Sequence, residues 1–278
     1  MKNWKLAPKD TELAKYVQWY WFLEKESSDS GHSWPKLYPD PATHLIVADN
    51  KHYFHYETET NLYSGCGSHL IFPHRNAFVM DHQKPFRILG IKFKVGAFYS
   101  LEHLNSLFDI DTIQAIDFGK LLGKKHAVVE RLLSASAEEK VATRDLLDQI
   151  LTPCVSKVSE DRHSELTRKV LPLLCTTSIA ALGDKLHCAQ RTVERSFLRT
   201  TGLTLKQCKS MFRLENLLSR LYKQDSKHID WRTLAADYEF SDQPHLIRYL
   251  KSCINETPRE YALKRDLTID VYGSFEFT

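Results

Sequence analysis

The hydrophobic pattern of this chain changes its period near residue 96. Up to residue 95 the apolar and aromatic positions come in short runs: YVQWYWFLEK (16–25), THLIVAD (43–49), KHYFHYET (51–58), SHLIFP (68–73), NAFVMD (76–81) and FRILGIKFKV (86–95). The clusters SSDSGHS, YPDPA, SGCGS, FPHRN and DHQKP lie between them. Runs rich in β-branched and aromatic residues, bounded by Gly, Pro, Asn and Asp, predict strands. Five or six of them at this spacing predict an antiparallel barrel or sandwich. From Ala97 onward the apolar residues of FYSLEHLNSLF, IDFGKLLGKK and HAVVERLLSASAEEKVATRDLLDQIL recur at three and four, which is the helical period. The polar stretch TPCVSKVSEDRHSE (152–165) interrupts that period and reads as a linker, and helical patterning then continues to about Arg265. The tail DLTIDVYGSFEFT (266–278) alternates Leu267, Ile269 and Val271 in the manner of a strand.

One pattern occurs twice in the helical half. In residues 178–202 a short helix (178–186) is expected to bury Ile179, Leu182 and Leu186 before a tight turn at His187–Cys188. A second helix opens near Ala189. It points Val193 and Phe197 inward and leaves Arg191, Glu194, Arg195 and Arg199 outside. In residues 230–258, Asp230 is a natural N-cap for a helix burying Leu234 and Ala235, and YEFS forms the turn. Asp242 then caps a second helix with Leu246 and Leu250 inside, and Gln243, Pro244, His245 and Arg248 outside. Pro244 falls in the first turn, where a missing N–H costs little. Residues 204–224 between the two units read as one helix with Leu205, Cys208, Phe212 and Leu217 on its apolar stripe. Two short helices joined by a tight turn form a helix-turn-helix, whose second helix can enter the major groove of DNA.

Charge sharpens this division. Net charge is only +3 over 278 residues, but residues 1–159 carry 19 basic and 19 acidic side chains, whereas residues 160–265 carry 19 and 13. The basic excess therefore lies in the helical segment, the electrostatic footprint of a module that binds a polyanion. A composition of 42% hydrophobic and 26% charged residues excludes a disordered or fibrous chain. No run reaches the ~18 apolar residues of a membrane span. The N-terminus carries charges where a signal peptide needs an apolar core, so a cytoplasmic protein without membrane partners is expected. The six cysteines are scattered without a C-x-x-C pair, as expected for reduced thiols.

The C-terminal segment resembles the AraC-type (AraC/XylS family) DNA-binding domain. The resemblance rests on RTVERSFLRTTGLT, MFRLENLL, LAADYEFSDQPHLIRYLK and TPREY (257–261). Through YPDPATHLIV, YSGCGSHLIFPH and LGIKFKVGAF the N-terminal half resembles the cupin-like domain of one AraC branch. The resemblance implies an α+β chain. An antiparallel β domain with a helical extension from about residue 97 would occupy 1–155, two helix-turn-helix units joined by a linker helix would occupy 160–265, and a tail would follow at 266–278. Three turn positions where the family has Gly hold His187, Glu239 and Asn255, and Gly183 sits inside a helix at a cost of roughly 1 kcal/mol against Ala.

Carried over position by position, the family's base-facing places fall on Arg191, Glu194 and Arg195 in the first unit and on Gln243, His245 and Arg248 in the second. Arg pairs bidentately with guanine, Gln with adenine, and Glu accepts from a cytosine amine. Lys206, Lys209 and Lys251, with Arg213, Arg259, Lys264 and Arg265, are expected to be solvated or to face phosphates, adding affinity without sequence preference.

The implied partners are a double-stranded DNA operator, a small-molecule effector, RNA polymerase for an activator, and a second copy in a homodimer. Nine of the thirteen His precede residue 127, but His52 and His55 point to opposite sides of a strand. No metal, cofactor or catalytic residue is assigned, and no G-x-S-x-G, Walker A or G-x-G-x-x-G motif is present, so no enzyme is expected. Trp19, Trp21, Trp34, Tyr53, Phe54 and Tyr56 are either core or the lining of a ligand pocket. The rival functions are a cupin-like enzyme or metal sensor carrying a helix-turn-helix appendage, and an interaction protein that no longer binds DNA.

Overall fold

The structure, a computed structural model, describes residues 2–29, 33–101, 109–121, 127–155, 158, 160–224 and 229–264. The N-terminal part contains strands β1 (Lys2–Leu6), β2 (Val17–Lys25), β3 (Lys36–Leu37), β4 (His44–Ala48), β5 (Tyr53–Glu57), β6 (Leu62–Cys66), β7 (His69–Ile71), β8 (Phe78–Met80), β9 (Phe86–Phe93) and β10 (Ile113–Ala115). They form a six-stranded sheet in the order β1-β2-β9-β4-β7-β10 and a four-stranded sheet in the order β3-β8-β5-β6. Each pairing is antiparallel.

The larger sheet is covered on both faces, which explains why β2 reads as an almost unbroken apolar run. Trp21 and Leu23 of β2 meet Ile46, Phe54, Phe78 and Met80 in the core between the sheets. Tyr20 and Phe22 project the other way, against Leu132, Leu147 and Ile150 of the helices α2 (Ala127–Ser136) and α3 (Lys140–Val155), which follow the short α1 (Phe118–Leu121). A Cβ on Gly90 would lie 1.8 Å from the Trp21 indole. Only glycine at that register partner of Trp21 lets the ring lie flat across β9. In β5, by contrast, Phe54 and Tyr56 are buried while Tyr53 and Glu57 are exposed, the alternation of a sheet with one covered face.

All six expected strands are present. Four further strands are β1, β3, β6 and β10. The first of these pairs with β2, and β6 forms from residues of the cluster read as a turn around SGCGS. The candidate pocket aromatics do not converge: Trp21, Phe54 and Tyr56 fill the inter-sheet core, whereas Trp34 and Tyr53 lie exposed.

The C-terminal part is helical: α4 (Arg162–Leu174), α5 (Leu182–Lys185), α6 (Gln190–Thr201), α7 (Leu205–Lys223), α8 (Trp231–Asp237), α9 (Gln243–Ile254) and α10 (Pro258–Lys264). The expected linker is shorter than its polar stretch, because α3 runs to Val155 and Asp161 caps α4 through a capping box with Ser164. No described helix is long and apolar enough to cross a membrane. The tail 266–278, Arg265 and the side chain of Lys264 lie outside the described residues.

Candidate nucleic-acid interface

The first unit is α5–turn–α6. Its first helix is less regular than the sequence predicts: a 3-10 turn at Ile179–Ala181 precedes the four-residue α5, and only Leu182 is fully buried, with Ile179 and Leu186 half-buried. His187 takes φ 53° in the turn. Ala189 starts α6 without a side-chain cap, so the entry is secured from the next residue: Gln190 Oε1 accepts from the Gly183 N–H at 3.0 Å. That bond brings the chain so close that a Cβ on Gly183 would sit 2.8 Å from the Cys188 carbonyl oxygen. Gly183 is therefore a packing requirement and not merely a weak helix former. Val193 and Phe197 are fully buried under α6.

The second unit follows the expectation closely. Asp230 accepts from the N–H groups of Arg232 and Thr233, Glu239 turns the chain at φ 56°, and Asp242 accepts from the His245 N–H at 2.7 Å to start α9. Leu246 and Leu250 are fully buried beneath it. Thr204 and Gln207 form a capping box that starts the linker helix α7. Leu205, Cys208 and Leu217 of the expected stripe are buried and Phe212 is half-buried.

Arg191, Glu194 and Arg195 lie exposed on α6, and His245 and Arg248 lie exposed on α9 with Gln243 half-buried. Arg191, Arg195 and Arg248 form no ion pair with any described residue, so their guanidinium donors are available. Glu194 accepts from Gln190 Nε2 at 2.9 Å. The His245 ring stands edge-on to Phe240, and its Nδ1 faces the Ser241 hydroxyl at 3.2 Å. Both acceptors are thus already positioned by neighbours on their own unit.

The expected phosphate-facing set divides. Lys206 and Lys251 are exposed. Lys209 is not simply solvated, for it is half-buried and donates to the Thr177 carbonyl at 3.0 Å. Arg213 is also held inside the domain, its guanidinium 3.7 Å from the centre of the Phe240 ring. Arg199, although outward on α6, donates to the Tyr99 hydroxyl at 2.9 Å. Sequence periodicity places these residues on an outer helical face but does not show what other element covers that face.

His44, His69 and His74 of the β domain each have a hydrogen-bonding partner within it. His69 lies between the Gly67 carbonyl (3.1 Å) and the Tyr56 hydroxyl (2.8 Å), and burial lowers its pKa to about 3. Among the described residues, no three His, Cys, Asp or Glu come together to hold a metal ion.

Residues 182–264 match a family described as a helix-turn-helix domain, and residues 5–106 match one described as a domain of unknown function, DUF6597. No curated protein matches the chain. Similar solved structures include an apo point variant of ToxT from Vibrio cholerae strain SCE256, with 13% identity over 88% of this chain and 97% of that chain and a TM-score of 0.47. Wild-type ToxT of the same strain bound to unsaturated fatty acid has 13% identity over 87% and 93%, with a TM-score of 0.45. The AraC-like transcriptional activator CuxR has 10% identity over 77% and 86%, with a TM-score of 0.30.

Two helix-turn-helix units on a shared helix, with arginines on both second helices that pair with no described residue, define a DNA-binding transcription regulator. Its C-terminal domain is of the AraC type, joined to an N-terminal antiparallel β domain.

Proposed function

We propose that the protein reads a specific operator with α6 and α9 in the major groove. Arg191, Glu194 and Arg195 contact one set of bases and Gln243, His245 and Arg248 a second set, while Lys206 and Lys251 contact phosphates. Lys209 contributes positive potential from its place beside Thr177. The carrying observation is that Arg191, Arg195 and Arg248 are exposed, without an ion pair to any described residue, on two helices of matching construction. Selection of bound duplexes from a random library should yield a bipartite site. Arg195→Ala and Arg248→Ala should each relax preference at a different position, costing about 1–3 kcal/mol against the preferred base. Lys206→Ala should weaken all sequences alike and reduce the salt slope by about one. Uniform weakening by both arginine variants would make them phosphate clamps.

Residues 1–155 form the regulatory part on this reading, and 160–265 the reading part. The effector is a small organic molecule that acts in the cytoplasm, and activation at a promoter proceeds through RNA polymerase. No catalytic step is involved. The β domain presents a groove of about 970 Å³ between the sheets and α2, lined by Lys25, His52, Phe86, Arg87 and Leu133 among others. Its lining combines apolar side chains with carboxylates (Glu24, Glu26, Asp49, Glu130) and cations (Lys25, Lys51, Arg87), which suits a polar organic molecule carrying both signs of charge. A metabolite that binds there raises the melting temperature progressively with the logarithm of its concentration, the stabilisation reaching about 2.7 kcal/mol at a hundredfold excess over Kd. Arg87→Ala should abolish that shift.

A further inference from the structure

Two separate cores hold the DNA-binding half together. Val193 and Phe197 of the first unit pack on Leu205 and Cys208 at the start of α7. Leu234, Leu246 and Leu250 of the second unit pack on Leu214, Leu217, Leu218 and Leu221 toward its end. A cleft of about 480 Å³ opens between the units, with Ile179 on the first side and Tyr238 and Tyr249 on the second. The relative placement of α6 and α9 thus depends on α7 and on whatever else spans both units.

The β domain spans both. Tyr99, just after β9, accepts from Arg199 in the last turn of α6 and donates to Asp161, the N-cap of α4, each at 2.9 Å. Beside it, a Cβ on Gly96 would come within 3.4 Å of Thr167, Thr200 and Thr201, so the backbone there lies directly against α4 and the end of α6. Lys92 on β9 reaches the middle of α7: its ammonium is 2.6 Å from Asp40 and 3.6 Å from Glu215. Lys36 on β3 donates to the carbonyl of Ile254, the last residue of α9, at 3.1 Å and pairs with Glu256 at 3.1 Å. Both second helices are therefore held at their C-terminal ends, and the helix joining them is held at its centre. The anchoring strands belong to different sheets, so packing between the sheets sets the distance between the anchors.

We propose that the β domain is a splint that fixes the separation and phase of α6 and α9. Lys36, Lys92 and Tyr99, none of them on either helix, then determine which half-site spacing the protein accepts. The proposal rests on the reading that both helices engage one duplex, where successive major-groove faces lie about 34–36 Å apart. With the splint intact, a spacer altered by one base pair strains the protein. With it released, α7 and the cleft absorb the change.

The test compares the full chain with a Lys36→Gln, Tyr99→Phe, Glu215→Gln variant on duplexes carrying the two selected half-sites at varied spacing. Tyr99→Phe and Glu215→Gln keep side-chain shape, Lys36→Gln shortens the side chain and removes its charge, and all three leave the buried Asp40–Lys92 pair intact. Should the triple variant not fold, as judged by circular dichroism, Lys36→Gln alone serves in its place. The wild type should prefer one spacer. The variant should keep the same base preference within each half-site while its penalty for a one-base-pair change shrinks about tenfold, a difference of ~1.4 kcal/mol. An unchanged spacer penalty in a folded variant would overturn the splint. If the wild type selects no sequence at all, the base-reading assignment fails and takes the splint with it, a result distinct from an unchanged spacer profile.

Discussion

A Cβ on Gly183 would lie 2.8 Å from the Cys188 carbonyl oxygen and 2.9 Å from the Gln190 nitrogen, both backbone atoms. Helix propensity favours Ala over Gly by about 1 kcal/mol, but overpacking costs about 1–3 kcal/mol and here has no flexible side chain to displace. Gly183→Ala should therefore destabilise the protein by up to roughly 2 kcal/mol in urea unfolding, and stabilisation would show that the turn relaxes. His187 and Glu239 pose the converse case, since they hold φ near 53° and 56° with ordinary side chains. Left-handed backbone costs an L-residue about 1–2 kcal/mol, and glycine's extra entropy offsets part of the gain on replacement. His187→Gly or Glu239→Gly should stabilise by roughly 0.5–1 kcal/mol. Equal or lower urea midpoints in both variants would contradict that expectation.

At the level of elements, α9 shows how a local signal becomes a surface for recognition. Asp242 is its N-cap, Pro244 occupies the first turn, and Asn255 ends it in the left-handed region. Removing the cap by Asp242→Ala should cost about 1 kcal/mol of stability. It should also weaken operator binding, because His245 is oriented by the same turn. A binding loss without a stability loss would assign Asp242 to the interface itself. These boundary signals made the second unit legible in the sequence down to its turn residues. The first, whose α6 starts without a side-chain cap, was legible from its apolar spacing alone, and its first helix is shorter than that spacing predicts. The β6 strand was not legible, because LYSGC contains Ser, Gly and Cys and leaves Leu62 60% exposed at a sheet edge. Its pairing with β5 supplies the order that its composition does not. The two-residue β3 and three-residue β10 are too short to show a period. In the site, exposure of Arg191, Arg195 and Arg248 followed from helical spacing. The capture of Arg199 by Tyr99, 100 positions away, did not, because periodicity carries no information on tertiary partners.

Across the whole molecule the histidines make stability depend on pH, and they do so unevenly. Burial lowers the pKa of His69 and of His82 to about 3, with the nearby His52, and Lys25 beside His82, acting in the same direction. Burial lowers those of His44 and His52 as well. In the unfolded chain such groups titrate near 6.5, so between that value and about 3 the unfolded state binds more protons. Their contribution is fully present above pH 6.5 and declines as pH falls. At pH 5.5 each of His69 and His82 should remove roughly 1.4 kcal/mol relative to pH 8. Asp40 adds to the trend only at lower pH: burial alone would raise its pKa, but Lys92 and His44 outweigh that and hold it below the ordinary carboxylate range. All of these groups belong to the β domain. Acidification should therefore loosen that domain before the helical one, and the anchors at Lys36, Lys92 and Tyr99 should loosen with it. A melt followed at pH 8 and at pH 5.5 should show the β-sheet signal moving to lower temperature more than the helical signal. His82→Phe should reduce the pH dependence. Equal shifts of the two signals would mean that the domains unfold as one unit, with the splint holding until both are lost.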